Sequence, residues 1–212
     1  MRDRRTAILQ AAARVIARQG VRGLRMEELA AEARVSKALI YYYFEDHAGL
    51  LRHTLEFISD RAERYTGGRS GPARPSSPRR ELEQSFLLEF QEVPEVRENS
   101  TAWGELRASA VFDPQLQDEL ARAGLMWVRE VADALGRTRT GAPDPALIAS
   151  AERLTALLEG LSARWLSGIL PLGNARELMR EAIAVEVEQL GRHPAHGAPP
   201  RPRPAVASHT LR

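Results

Sequence analysis

Apolar residues along most of this chain recur at alternating steps of four and three, and that regularity restricts the fold more than any other feature. Leu51, Leu55, Ile58, Ala62 and Tyr65 form one such series; Leu147, Ala151, Leu154, Leu158, Leu161 and Trp165 form another. A repeat near 3.6 places every member on one face of an α-helix, whereas a half-buried strand alternates at every second residue. The chain is therefore expected to be all-α. A first helix, about Asp3 to Gln19, carries Ile8, Ala12, Val15 and Ile16 on one face and should end at Gly20 in a left-handed C-cap. A short second helix from Met26 to Ala33 has Glu27 and Glu28 in its first turn, where carboxylates complement the helix macrodipole. Ser36 and Asp46 are good N-caps for a short third helix reaching about Tyr43 and a long fourth from His47 to about Tyr65.

The stretch "TGGRSGPARPSSPRR", Thr66 to Arg80, offers almost nothing to bury and reads as a flexible basic linker. Beyond it, Glu81 to about Gln91 forms a helix through Leu82, Phe86 and Phe90. Pro94 interrupts that pattern, and a segment from about Glu95 to Ala110 with Trp103 and Leu106 follows. "FDPQL" and "PDPAL" place Asp113 and Asp144 as N-caps with Pro114 and Pro145 at the first helical position, two strong start signals. A last helix from Asn174 to about Leu190 should end at Gly191. The Pro- and Arg-rich residues 192–212 are expected to be disordered. About nine helices result.

With 212 residues, 43% of them hydrophobic, the chain can bury a sizeable core. It has no cysteine, so disulfides and zinc-finger frameworks are excluded. The net charge of +2 hides an asymmetry. Residues 1–47 carry nine Arg or Lys against six Asp or Glu, residues 66–80 four against none, residues 81–190 ten against nineteen, and residues 191–212 four against none. A basic front on an acidic body suggests an N-terminal region that faces nucleic acid and a remainder that avoids polyanions. Arg14 and Arg18 break the apolar stripe of the first twenty residues, so no signal peptide is read there, and no window approaches the roughly 18 apolar residues of a membrane span. The expected location is cytoplasmic, with no membrane partner.

The segment "ARVSKALIYYYF", Ala33 to Phe44, holds the one lysine of the chain beside three consecutive tyrosines. Two short helices joined by a tight turn fit a helix-turn-helix, whose second helix enters the DNA major groove N-terminus first. Ser36 and Lys37 then stand at the groove-facing end. An ammonium reaches a phosphate or a guanine edge, and a tyrosine hydroxyl donates to phosphate. Three tyrosines in succession cannot all point one way. Leu39 and Ile40 are expected to share packing with Tyr41, leaving Tyr42 and Tyr43 to face the DNA backbone. "LIYYYF" also has high β propensity, but the flanking caps and the lack of a partner strand favour the helix.

These residues resemble the N-terminal signature of the TetR-type transcriptional repressors. Gly20, "LAAEARVS" (Leu29 to Ser36), "YYYF" (Tyr41 to Phe44) and "EDHAGLL" (Glu45 to Leu51) stand at matching spacings, and the likeness covers about residues 5–52. The resemblance implies DNA contacts from Ser36, Lys37 and Ala38, phosphate contacts from Tyr42, Tyr43 and His47, and a Tyr41 that partly packs and partly touches the backbone. Four positions depart from the family pattern. Arg34 and Ala38 replace glycines in the turn and near the start of the recognition helix, and a non-glycine residue at positive φ is costly. Arg25 stands where a Ser or Thr usually caps the second helix, losing a cap worth roughly 1 kcal/mol but adding a charge near the phosphates. His47 replaces a phosphate-contacting lysine with a side chain largely uncharged at neutral pH.

Farther along, "AWGELRASAVFDPQL" (Ala102 to Leu116) and "LTALLEGLSARWL" (Leu154 to Leu166) are similar to the choline-responsive repressor branch of that family. The resemblance implies an effector cavity, for which Phe86, Phe90, Trp103, Trp127, Glu159 and Trp165 are candidates, since aromatic rings and a carboxylate together can hold a cation. It also implies a homodimer through the last two helices, consistent with the small-residue face of Ala149, Ala156, Gly160 and Ala163. The expected domains are a helix-turn-helix unit over 1–47, a connecting helix over 48–65, the linker over 66–80, a ligand-binding and dimerisation domain over 81–191, and the tail over 192–212. The expected partners are a double-stranded DNA operator, a small-molecule effector and a second copy of the chain. No cofactor is expected. An enzyme is disfavoured: there is no cysteine nucleophile and no glycine-rich phosphate loop. His47 and His53 lie six apart on different sides of a helix, and His193 and His196 fall in the Pro-rich tail. A helical interaction module without sequence-specific DNA binding is the alternative, but it leaves Lys37 and the tyrosines unexplained.

Overall fold

A computed structural model describes residues 2–66, 77–139, 141–142 and 144–192. Most of the expected linker, residues 67–76, and the tail from 193 onward, with His193 and His196, lie outside the described residues. The described residues form nine α-helices and no strand. These are α1 (Arg2–Gln19), α2 (Met26–Ala33), α3 (Lys37–Phe44), α4 (His47–Thr66), α5 (Pro78–Leu87), α6 (Pro94–Ala110), α7 (Pro114–Thr138), α8 (Asp144–Leu166) and α9 (Leu172–Arg192), with a 3₁₀ turn at Val21–Gly23 after α1.

The caps explain most of these boundaries. The Ser36 hydroxyl accepts from the Leu39 backbone N–H at 3.2 Å, the Asp46 carboxylate from Gly49 at 2.6 Å, and the Asp113 carboxylate from Gln115 and Leu116 at 3.0 and 3.2 Å. Four expectations shift. Helix α5 starts at Pro78 rather than Glu81, because Ser77 caps it and Pro78 supplies a preset φ, and it ends at Leu87, leaving the buried Phe90 beyond it. Helix α8 begins at Asp144 itself. Helix α9 runs through Gly191 to Arg192, and the Arg139 side chain donates to the Val187 carbonyl at 3.0 Å near that end. Gly20 has positive φ, but its φ of 74° and ψ of 171° lie in a region open essentially only to glycine rather than in the left-handed helical one.

Two apolar clusters organise the packing. The first joins α1, α2, α3 and α4 as far as Ile58 with Ala102, Leu106 and Ala110 of α6 and Leu116 of α7. Helix α1 is buried on more than the one expected face: Leu9, Ala11 and Ala13 are covered along with Ile8, Ala12, Val15 and Ile16. Three consecutive alanines let the backbone of another helix approach, and α6 packs against α1. Each fully buried Ile, Leu or Val side chain of the cluster contributes about 1.5–3 kcal/mol. The second cluster joins α5, the C-terminal part of α7, α8 and α9. An ion pair locks α8 to α9: Arg153 Nε and Nη2 donate to the two Glu186 carboxylate oxygens, both at 2.6 Å. That hydrogen-bonded guanidinium holds the Glu186 carboxyl below the usual carboxylate range.

Helix α4 runs from the first cluster to the N-terminal part of α6. Its C-terminal part carries Arg61, whose Nε donates to Asn99 Oδ1 at 2.8 Å, while its Nη1 reaches Glu98 at 2.9 Å and its Nη2 the Glu95 carbonyl at 3.0 Å, all on α6. Buried Asn99 donates back to the Ile58 carbonyl at 3.0 Å and to the Tyr65 hydroxyl at 3.3 Å. The Tyr65 hydroxyl in turn donates to Glu89 at 2.8 Å. A rotation of α4 has to break or carry this chain of bonds.

Candidate nucleic-acid interface

Helix α3 is held by Ile40 and Phe44, both buried one turn apart against the first cluster. That anchorage leaves its N-terminal end in the open: Ser36, Lys37 and Ala38 are all exposed, as are Arg25 and His47 at the starts of α2 and α4. Arg25 sits at the N-cap of α2 and forms no side-chain cap bond, as its chemistry requires. Arg34 closes α2 in the left-handed conformation, φ 55° and ψ 47°, with its backbone N–H directed at the Ala30 and Ala31 carbonyls. A glycine would make the same cap without the roughly 1–2 kcal/mol that the side chain adds there.

The tyrosines divide differently from the sequence expectation. Tyr42 is 70% exposed and Tyr41 47%, whereas Tyr43 is the one packed against the core. Tyr43 lies between Phe44, with ring centres 6.1 Å apart, and Tyr42, which meets it edge-on at 5.4 Å. The packing role assigned to Tyr41 therefore falls to Tyr43, and Tyr41 joins Tyr42 on the open face. Lys37 is not free: its Nζ lies 2.7 Å from Glu27 Oε1 on α2. This hydrogen bond raises the lysine's affinity for its proton and lowers that of the glutamate. Periodicity places Glu27 at the start of α2 but does not show that it faces α3, so the sequence alone does not reveal this partner.

The chain as a whole has counterparts among known proteins. The profile described as "Bacterial regulatory proteins, tetR family" matches residues 8–54, and "BetI-type transcriptional repressor, C-terminal" matches residues 78–188. The chain belongs to the TetR family. A curated relative from Agrobacterium fabrum, the HTH-type transcriptional regulator BetI, is 30% identical to this TetR-family chain over 174 residues, covering 81% of each. The crystal structure of a TetR-family regulator from Rhodococcus sp. is 45% identical, with a TM-score of 0.80 over 88% of this chain and 100% of that one. A regulator from Saccharomonospora viridis, solved in complex with choline, shares the fold at 23% identity and a TM-score of 0.66, covering 88% of this chain and 96% of that one. This TetR-family protein is thus a helix-turn-helix transcriptional regulator with a BetI-type C-terminal part, and its relatives are regulators rather than enzymes.

The C-terminal candidates do not converge on one space in this TetR-family chain. Phe86, Phe90 and Trp165 are buried in the second cluster, with Phe90 and Trp165 rings edge-on at 6.2 Å. Trp127 packs partly against the same cluster, while Trp103 packs against the first. Glu159 spans the gap: it accepts from Trp103 Nε1 at 3.0 Å and lies 3.8 Å from Arg107. The Trp165 ring already carries a cation, since the Arg97 guanidinium sits over it at 5.1 Å and Glu92 accepts from its Nε1 at 3.3 Å. On α8, Ala156, Gly160 and Ala163 are exposed and Ala149 is half-buried, with open space around Gly160. Sequence reading misses Ser162, which is buried with an unpartnered hydroxyl, and Glu89, whose carboxyl burial pushes up to about 7. Neither has a periodic or motif signal. Among the described residues no helix is long and apolar enough to cross a membrane.

Proposed function

We propose that this TetR-family regulator is a repressor that binds a palindromic operator as a homodimer and is released by a small molecule. The observation that carries the reading is the exposed N-terminal end of α3, where Ser36, Lys37 and Ala38 stand exposed at the start of a helix pinned by Ile40 and Phe44. Ser36, Lys37 and Ala38 read the groove. Tyr41, Tyr42, Tyr43, Arg25 and His47 contact the flanking phosphates, with Tyr43 limited to what its half-buried ring leaves free.

A two-fold operator needs a two-fold protein, with recognition helices separated by about 34–36 Å. The dimer forms through α8 and α9. Support comes from the uncovered small residues Ala156, Gly160 and Ala163 and from Leu178 and Val185 of α9, apolar side chains 43% and 50% exposed in the single chain.

The effector enters among α5 to α9; because its candidate contacts divide between the two clusters, it meets either Trp103 and Glu159 or the group of Phe86, Phe90, Trp127 and Trp165, not all of them at once. It acts only through a difference in affinity between two conformations, about 5.5 kcal/mol for a full switch. Arg61, Asn99 and Tyr65 give α4 the connection that transmits such a difference. Choline is the first effector to test, because a neighbour of the same fold was solved with it. The experiment is a gel shift on DNA flanking the protein's own gene, with and without millimolar choline. One shifted species of dimer stoichiometry that choline dissolves supports the whole reading. Monomer stoichiometry refutes the dimer, and a shift indifferent to choline refutes choline as effector.

A further inference from the structure

We infer that Arg34 is an additional phosphate-contacting residue, and that the cleft between the start of α1 and the turn of the helix-turn-helix seats a phosphate of the DNA backbone. The inference rests on the DNA-binding reading of α3 and extends it to the turn before that helix. The cleft has a volume of about 440 Å³ and is walled by Arg4, Arg34, Ser36 and Leu39. Two of the lining residues are arginines, and apart from Ser36 the others are apolar. Both arginines are exposed, and neither side chain has a hydrogen bond or ion pair among the described residues. The contrast with neighbouring cations is clear: Arg14 and Arg18 are both held by Glu32, and Lys37 is held by Glu27.

The backbone supplies a second argument. Arg34 occupies a left-handed conformation in which a β-carbon is unfavourable, and the cap that it makes to Ala30 and Ala31 uses only its backbone N–H. The fold therefore needs the conformation at this position and has no use for the side chain. What the side chain adds is a planar donor two residues before Ser36, beside a space shared with Arg4. Guanidinium groups suit phosphate oxygens because their paired N–H groups match two oxygens at once. A duplex whose major groove receives the N-terminal end of α3 passes a backbone strand beside that end, where the cleft opens.

The test is fluorescence anisotropy of the full-length protein on its own upstream DNA over a salt series, comparing wild type with Arg34→Gly, Arg34→Lys and Lys37→Ala, alongside thermal melts. Removal of one phosphate interaction makes the slope of log K against log salt shallower by about 0.9. Arg34→Gly is expected to bind about 5- to 20-fold more weakly, with a slope shallower by about one per bound protomer and a Tm no lower than wild type. Arg34→Lys, which keeps the charge, is expected to restore most of the slope. Unchanged affinity and slope in Arg34→Gly, while Lys37→Ala loses affinity, would overturn the inference and leave the DNA-binding reading intact. Absence of salt-dependent binding by wild type would instead sink both.

Discussion

Lys37 Nζ and Glu27 Oε1 lie 2.7 Å apart, joining the first turn of the recognition helix to the first turn of the helix before it. Both side chains are exposed, so the pair adds little to stability. On the proposed DNA-binding reading of α3, its effect falls on binding. A phosphate or guanine edge must compete with Glu27 for the ammonium, and the carboxylate is brought close to the DNA's own negative charge. Glu27→Gln is therefore expected to raise affinity for nonspecific DNA by about 3- to 10-fold at low salt, narrowing the gap to specific sites. Anisotropy with an unrelated duplex measures it; unchanged or weaker nonspecific binding contradicts the role.

The junction between α3 and α4 depends on Gly49. Glu45 and Asp46 fold the chain back sharply, with Glu45 at a φ of 64°, and a β-carbon at Gly49 would run into the Phe44 carbonyl oxygen. That obstacle is backbone and cannot swing away. Gly49→Ala is expected to cost about 1–3 kcal/mol and to lower the chemical-denaturation midpoint accordingly. Gly124→Ala on α7, whose added β-carbon meets nothing within 4 Å, serves as the control.

Glu89 gives the stability a pH dependence. Burial raises its carboxyl to about 7, above the ordinary carboxylate value, while the Tyr65 hydroxyl donating to it acts in the opposite sense. A carboxyl raised in the folded state holds a proton that the unfolded chain has lost, so its contribution falls as pH rises from about 4.5 to about 7. Glu89→Gln keeps an acceptor for Tyr65 and cannot ionise. The variant is expected to be more stable than wild type at about pH 8, by roughly 1–3 kcal/mol, and indistinguishable near pH 4.5. Thermal melts across that window check it; a variant less stable at the alkaline end would show that the charged form is the favoured one.

What the sequence reveals follows from how local each determinant is. The bounds of α2 and the N-caps at Ser36, Asp46 and Asp113 are set by residues within a few positions, and they stand as expected. The recognition helix is legible for the same reason. Tyr41 and Tyr43 show the limit: each lies about 80° from the axis midway between Ile40 and Phe44 at about 100° per residue. Periodicity cannot choose between them, and the neighbouring core does. The second face of α1 is a similar case, because alanines at 11 and 13 signal neither burial nor exposure until α6 arrives. The Arg61–Asn99–Tyr65–Glu89 chain joins residues 24 to 38 positions apart, and no spacing rule connects them. The C-terminal aromatics stand out in the sequence by residue type, and type alone does not tell a core ring from a ligand-facing one.

The central claim is that α3 reads DNA through its exposed N-terminal end, and the most direct measurement is anisotropy on the DNA flanking the protein's own gene with Lys37→Ala and Tyr42→Phe over a salt series. Wild type should bind sequence-specifically, with affinity falling steeply with salt. Lys37→Ala should weaken binding about 10-fold or more and flatten the salt slope. Tyr42→Phe, which removes one exposed hydroxyl, should weaken it about 2- to 5-fold with the fold unchanged. Wild-type binding that neither substitution disturbs would contradict the account and move the DNA contact off α3.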